Sequence, residues 1–345
     1  MTRRIFCKLL CVVVGVFGLL VLPSLVSAQG RSEEALEWVK YVQEKHTDAL
    51  MARPGVVGTA VGLGQGAQPV VLVLLEYGGV PDIPEKLDGV PVRPVVTGKI
   101  YALKGPPEGK GPKPKEPVDP TARFDRPVPI GVSTGHPNIT AGTIGCRVTK
   151  SGKVYALSNN HVYADENSAK IGDSVLQPGT YDGGVDPDDA IGTLADFEPI
   201  DFDGGNNTID AAIASTTTDL VDNATPSDGY GIPKSPPAAA VLNQPVKKYG
   251  RTTGLTKGRV YAINATVNVG YSSGVARFVG QIIITPGSFS AGGDSGSLVV
   301  VDGKGRNRAE DRRPVGLLFA GSDLYTVANP IDAVLTALGV SIDGE

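Results

Sequence analysis

Ser295 stands in "AGGDSGSLVV", residues 291–300, between glycines and a branched apolar run. A serine hydroxyl becomes a nucleophile only when a positioned base takes its proton, and a histidine base needs an acid to hold its tautomer. A bare turn would also use these residue types, since Gly, Asp and Ser are ordinary turn residues. The rest of the chain must therefore supply the partners, and it has only three histidines. His46 falls in the polar part of a predicted helix, and His136 in the turn "STGHPN". His161 falls in "YALSNNHVYA", where an apolar strand runs into polar residues, which places its imidazole at the rim of a sheet. For the acid, Asp210 in "NTIDAAIAS" immediately precedes an apolar strand and is expected to be buried at a seam. Asp189 in "DPDDAIGTL" is the rival, in a cluster of like charges that reads as solvated.

The elements that must position these residues are strands. Gly 45 and Pro 27 in 345 residues favour turn-rich β architecture over long helices. From residue 129 to 345, short apolar or alternating runs such as "VYALSNN", "IDAAIAS", "ARFVGQIIITP" and "PVGLLFAG" recur between Gly, Asp and Pro turns. Evenly spaced short strands without helical patterns between them predict an all-β sandwich or barrel. Only "PIDAVLTALGV" near the end reads as a helix.

Upstream, residues 1–28 read as a secretory signal peptide. Arg3, Arg4 and Lys8 form a basic start, Leu9 to Leu22 an apolar core, and Val26-Ser27-Ala28 a small-residue cleavage site. The apolar run is short and broken by Gly15, Gly18 and Pro23, so no stable membrane anchor is expected after cleavage. This implies a secreted or periplasmic protein. Cys7 and Cys11 leave with the signal, and Cys146 in "AGTIGCRVT" reads as a small buried strand residue with no disulfide partner.

Residues 31–103 form a small α+β N-terminal domain in this reading. Residues 32–52 carry an N-cap serine, early acids and Leu36, Val39 and Val42 at near-helical spacing. "GVVGTAVGL" and "PVVLVLLEY" follow as strands joined by "GQGAQ", then a turn and a third strand ending in "GKIYAL". Residues 104–128, starting "KGPPEGKGPKPKEPVDP", read as an exposed Pro/Gly/Lys-rich linker. The N-terminal domain is expected to be a prosegment or regulatory domain docking on the larger one, or else a targeting or substrate-docking module.

The chain order His161, Asp210, Ser295, with "NNHV" around the histidine and "GGDSGS" around the serine, resembles the chymotrypsin-like (trypsin-fold) serine proteases, in the style of bacterial members. The resemblance covers roughly residues 130–340. It implies two packed antiparallel six-stranded β-barrels with a C-terminal helix, and an exported serine endopeptidase acting on protein or peptide substrates. It assigns Ser295 as nucleophile, His161 as general base and Asp210 as orienting acid. The oxyanion hole falls to the backbone N–H groups of Gly293 and Ser295, and Asp294 becomes the acid that holds their loop. Phe289 then forms the base of the primary pocket, with Phe319, Ala320 and Gly321 opposite. No carboxylate stands at that base, so small or apolar side chains are expected at the cut rather than Lys or Arg. An "IVGG"-like amino terminus, which activates many animal members by pairing with the acid beside the nucleophile, has no counterpart in "PVPIGVSTGHPN".

Other classes find less support. Formal net charge is −4, and loss of the basic leader leaves the remainder more acidic, a poor match for phosphate backbones. "GLGQGA", residues 62–67, formally fits a dinucleotide motif, but a strand follows it rather than a helix. The acidic loop with Asp182, Asp186, Asp188 and Asp189 lacks the spacing of an EF-hand and reads as a solvated turn. No metal or organic cofactor is expected. The alternative from a different class is a protease-fold binding or scaffold module without turnover.

Overall fold

The computed structural model describes residues 24–103 and 118–345. Most of the expected signal, with Cys7 and Cys11, and residues 104–117 of the expected linker lie outside the described residues. Helix α1 (Ser24–Met51) begins upstream of Ser32, the residue expected to cap it. No proline follows Pro23 to stop the helix from extending back through 24–31. Val39, Val42 and Leu50 lie at helical spacing on its buried face, against the strands that follow. Among the described residues no helix is long and apolar enough to cross a membrane.

Strands β1 (Val56–Leu63) and β2 (Pro69–Leu75) form the expected antiparallel hairpin, turning at residues 64–68 where the dinucleotide motif was weighed. Strands β3 (Lys86–Leu87), β4 (Val90–Val96) and β5 (Ile100–Ala102) follow. The next group is β6 (Ser133–Thr134), β7 (Gly142–Thr143), β8 (Cys146–Lys150), β9 (Lys153–Ser158), the short helix α2 (Asn160–Tyr163), β10 (Ser174–Leu176), β11 (Ala190–Phe197), β12 (Asn206–Asn207) and β13 (Ala212–Thr216). The last is β14 (Pro245–Gly250), β15 (Gly254–Gly270), β16 (Val275–Thr285), β17 (Leu298–Val301), β18 (Pro314–Gly321), β19 (Thr326–Pro330), helix α3 (Ile331–Leu338) and β20 (Ser341–Ile342). Helix α3 is the C-terminal helix expected from "PIDAVLTALGV".

The described chain is mostly β, in two large sheets and the short two-stranded β6–β7 ribbon. One sheet has six strands in the order β10-β11-β13-β9-β8-β20. The other has twelve, because the strands of 56–102 add to it. Its 17-residue strand β15 explains why: Gly254 to Arg259 pair with β14, while Ile263 to Val267 also pair with β1. The strands of the expected N-terminal unit therefore share a sheet with strands of the second half, and α1 packs on β1 and β2. Residues 118–128, expected as linker, belong to the folded body as well. Val128 is fully buried, and the Arg126 guanidinium donates to the carbonyls of Phe124, Gln177 and Asp189 and to Gln177 Oε1. The core is split accordingly: one cluster under the six-stranded sheet, two within the second half of the large sheet and two between α1 and the strands that follow it.

Candidate active site

Strand β9 ends at Ser158, and the chain turns into α2, which carries His161. The histidine thus sits on a helical turn just past a strand end, at the rim foreseen for it. Asp210 lies two residues before β13, which pairs with β9, so the two side chains arrive at the same sheet end. His161 Nδ1 is 2.5 Å from Asp210 Oδ2, and the His161 backbone N–H donates to Asp210 Oδ1 at 3.2 Å. Both residues are buried. The Asp210 main chain is held by two asparagines: its N–H donates to Asn329 Oδ1 at 3.1 Å, and its carbonyl accepts from Asn159 Nδ2 at 2.7 Å.

A further contact comes from outside the sequence reading. Tyr271, in the turn between β15 and β16, donates its hydroxyl to Asp210 Oδ2 at 2.8 Å. Burial first, and then the negative charge of Asp210, push the Tyr271 phenol well above its ordinary pKa, so it stays a donor. The ring stands edge-on to His161, with centroids 6.0 Å apart. Nothing near Tyr271 in sequence signals this role, because its partner lies 61 residues earlier.

Ser295 sits in the loop before β17. Gly293 has φ +91°, a left-handed conformation that favours glycine, and a Cβ there would lie 2.5 Å from Thr252 Oγ1. The loop is stitched to the short β6–β7 ribbon through Thr143 of β7, whose N–H donates to the Ser295 carbonyl at 2.7 Å and whose hydroxyl donates to the Gly293 carbonyl at 2.9 Å. A Cβ on Gly142 would lie 2.5 Å from Val162 and 3.1 Å from the Ser295 carbonyl oxygen. The turn carrying His161 and the loop carrying Ser295 thus meet across one bare glycine.

Asp294 is fully buried and satisfied from several sides. Its carboxylate accepts from the backbone N–H groups of Ala291, Thr252 and Thr253 at 2.8–3.0 Å and from the Thr253 hydroxyl at 2.6 Å. The buried Lys248 ammonium lies 3.4 Å from Asp294 Oδ2. The chain therefore neutralises this acid with its own lysine, where the family resemblance had raised the question of a new amino terminus. Lys248 was legible in principle. It has the same parity as inward-facing Val246 in β14, and a lysine on the inward face of a strand calls for a buried partner.

The structure does not bring Ser295 and His161 into a hydrogen bond. Ser295 Oγ donates instead toward the carbonyls of Leu103 and Phe319, each at 3.2 Å. His161 Nε2 is buried with no hydrogen-bond partner among the described residues. The Gly293 N–H, one of the two expected oxyanion donors, bonds the Leu103 carbonyl at 2.8 Å.

The expected pocket residues divide. Phe289 is fully buried in one core cluster of the large sheet, against which Leu103 packs. The Phe319 side chain turns away into another cluster and packs on Phe278, ring centroids 4.8 Å apart, so only its carbonyl serves the cleft. Ala320 and Gly321 pair with Ala102 and Tyr101 of β5.

Asp189 is not solvated as expected. It is buried and clasped by Arg123 at 2.6 and 2.7 Å, which holds its carboxyl below the usual range. Asp182 likewise pairs with Arg251. Among the described residues no group of acidic, His or Cys side chains is arranged to hold a metal ion. His136 pairs with Asp173 and His46 with Asp88. Cys146 is a buried, free thiol at the start of β8, and burial pushes its pKa up.

A family model described as the Nal1 C-terminal domain matches residues 216–327. No curated protein matches the chain. Similar solved structures include a glutamic-acid-specific serine protease described as using a histidine triad in substrate binding, at 24% identity and TM-score 0.44, covering 62% of this chain and 100% of that one. Thermobifida fusca protease A is similar at 17% identity and TM-score 0.43, covering 63% and 99%. Cellulomonas bogoriensis chymotrypsin is similar at 19% identity and TM-score 0.42, covering 64% and 100%. These neighbours are bacterial chymotrypsin-like serine proteases.

Proposed function

We propose that the chain is an exported serine endopeptidase acting on protein or peptide substrates, in the extracellular space or the periplasm. One observation carries this reading: the loop of Ser295 already holds a peptide carbonyl, that of Leu103, on the Gly293 N–H, with Ser295 Oγ 3.2 Å from the same oxygen. The second support is the His161–Asp210 pair, whose outer nitrogen is left without a partner among the described residues.

In the proposed cycle Ser295 Oγ adds to the substrate carbonyl while its proton passes to His161 Nε2. The imidazolium so formed faces the Asp210 carboxylate through Nδ1. The oxyanion is held by the N–H groups of Gly293 and Ser295, donors that are fixed before the charge develops. Collapse expels the amine, protonated from His161, and water then hydrolyses the acyl-serine with His161 as base. Asp294, held by Lys248, keeps the donor loop in shape throughout.

The absence of a Ser295–His161 hydrogen bond is the observation that favours the second reading, a protease-fold module without turnover. Incubating the purified chain with a fluorophosphonate and mapping the modified peptide decides between them. Modification at Ser295, abolished in Ser295→Ala, is the expected result. A folded chain that takes no phosphonate on Ser295 and cuts neither casein nor itself would sink the peptidase reading.

A further inference from the structure

The residues Ile100-Tyr101-Ala102-Leu103 do more than end the N-terminal strands. As β5 they lie between two strands of the second half. Ile100 and Tyr101 pair in parallel with Val269 and Gly270 of β15, and Tyr101 and Ala102 pair antiparallel with Gly321 and Ala320 of β18. The Leu103 N–H donates to the Phe319 carbonyl at 3.1 Å, one residue further along the same edge. The Leu103 carbonyl then reaches the Gly293 N–H at 2.8 Å and Ser295 Oγ at 3.2 Å.

Ile100 is buried, Tyr101 is exposed, and Leu103 packs against the apolar cluster containing Phe289, Val246 and Leu318. Leu103 Cδ1 lies 3.5 Å from where a Cβ on Gly321 would stand, an ordinary van der Waals distance that places the leucine beside β18. An extended peptide added to a sheet edge takes affinity from the backbone and specificity from pockets for its side chains. Both features are occupied here by the protein's own chain.

We infer that residues 100–103 sit in the cleft as the acyl half of a substrate, and that the protein's first substrate is itself, cut on the C-terminal side of Leu103. This rests on the peptidase reading above. In the cut, Ser295 Oγ bonds to the Leu103 carbonyl carbon and the C–N bond to the next residue breaks. The Oγ proton, relayed by His161, leaves on the new amino terminus, and one water then returns Ser295 and frees Leu103 as a carboxylate. Until residues 100–103 leave, no other chain can pair with β18 at 320–321 or reach the Gly293 N–H. The N-terminal strands hold this segment in place through β1 on β15 and through polar contacts, Gln43 with Asn264 at 2.9 Å and Asp48 with Arg277 at 2.6 Å. The site's preference follows as well: a leucine-sized apolar residue fills the primary pocket.

The test follows the purified full chain by intact-mass spectrometry, with Ser295→Ala and Leu103→Asp beside it. The wild-type chain is expected to yield a fragment ending in a free carboxylate at Leu103, at a first-order rate independent of protein concentration. Ser295→Ala stays whole. Leu103→Asp, folded by circular dichroism, slows the cut roughly 100-fold because an unpaired carboxylate must enter an apolar pocket. A wild-type chain that takes phosphonate on Ser295 or cuts casein, yet stays whole at Leu103, overturns this inference and leaves the peptidase reading standing. A chain with neither reactivity overturns both. A rate that scales with protein concentration overturns self-cutting, and a Leu103→Asp chain cut at the wild-type rate overturns the role given to the leucine pocket.

Discussion

Two buried aspartates flank the site, and they are compensated in opposite ways. Asp294 meets a permanent cation, Lys248, and a ring of backbone N–H groups. Asp210 meets a tyrosine hydroxyl, one backbone N–H and a histidine, with no lysine or arginine hydrogen-bonded to it among the described residues. A carboxylate locked to a lysine has nothing left to do electrostatically, and its value is the shape of the loop it anchors. A carboxylate surrounded by neutral donors and an imidazole stabilises positive charge when that imidazole takes a proton. Under the proposed peptidase reading one acid serves the fold and the other the chemistry, although they are equally buried.

The sharpest break in this contrast comes from Asp210→Asn. The amide keeps the packing but cannot favour the His161 tautomer whose Nε2 accepts a proton. Peptide-bond cleavage is expected to fall by about 10^4-fold, with the urea midpoint little changed. Lys248→Met should do the reverse. Removing one partner of a buried pair strands the other, at a cost of about 3–5 kcal/mol, read as a large fall in the urea midpoint. Adding Asp294→Asn to Lys248→Met should recover part of that loss, since the stranded charge is gone. If Asp210→Asn unfolds the chain as much as Lys248→Met does, the division of labour between the two acids fails.

The same contrast marks what a sequence can disclose. The meeting of His161 and Asp210 was legible because each stands in a short local setting at a strand end, and the glycine turn of Ser295 was legible from its own residues, while the Ser295–His161 hydrogen bond expected from chain order is not formed. Asp189 was misjudged as solvated because its compensation comes from Arg123, 66 residues earlier, on a stretch that reads as linker. The strands of 56–102 were legible as strands, by alternation and turn chemistry. Their place in the larger sheet was not, because it depends on which part of a 17-residue strand lacks another neighbour. The insertion of β5 beside Ser295 depends in turn on that placement. Local pattern reveals elements, while long-range pairing decides which edge each element covers.

Tyr271 offers the finest probe of Asp210. Tyr271→Phe removes one hydrogen bond to a charged acceptor and leaves the ring against His161 and Phe202. A bond of this kind contributes about 1.5–3 kcal/mol, so cleavage should slow by roughly 10- to 100-fold if the bond matters most when His161 is charged. The split between kcat and KM separates positioning from mere packing. A bond that matters when His161 carries the proton lowers kcat and leaves KM close to the wild-type value. A Tyr271→Phe chain whose kcat is unchanged would make Tyr271 a packing residue and leave the Asp210 contact without a part in the reaction.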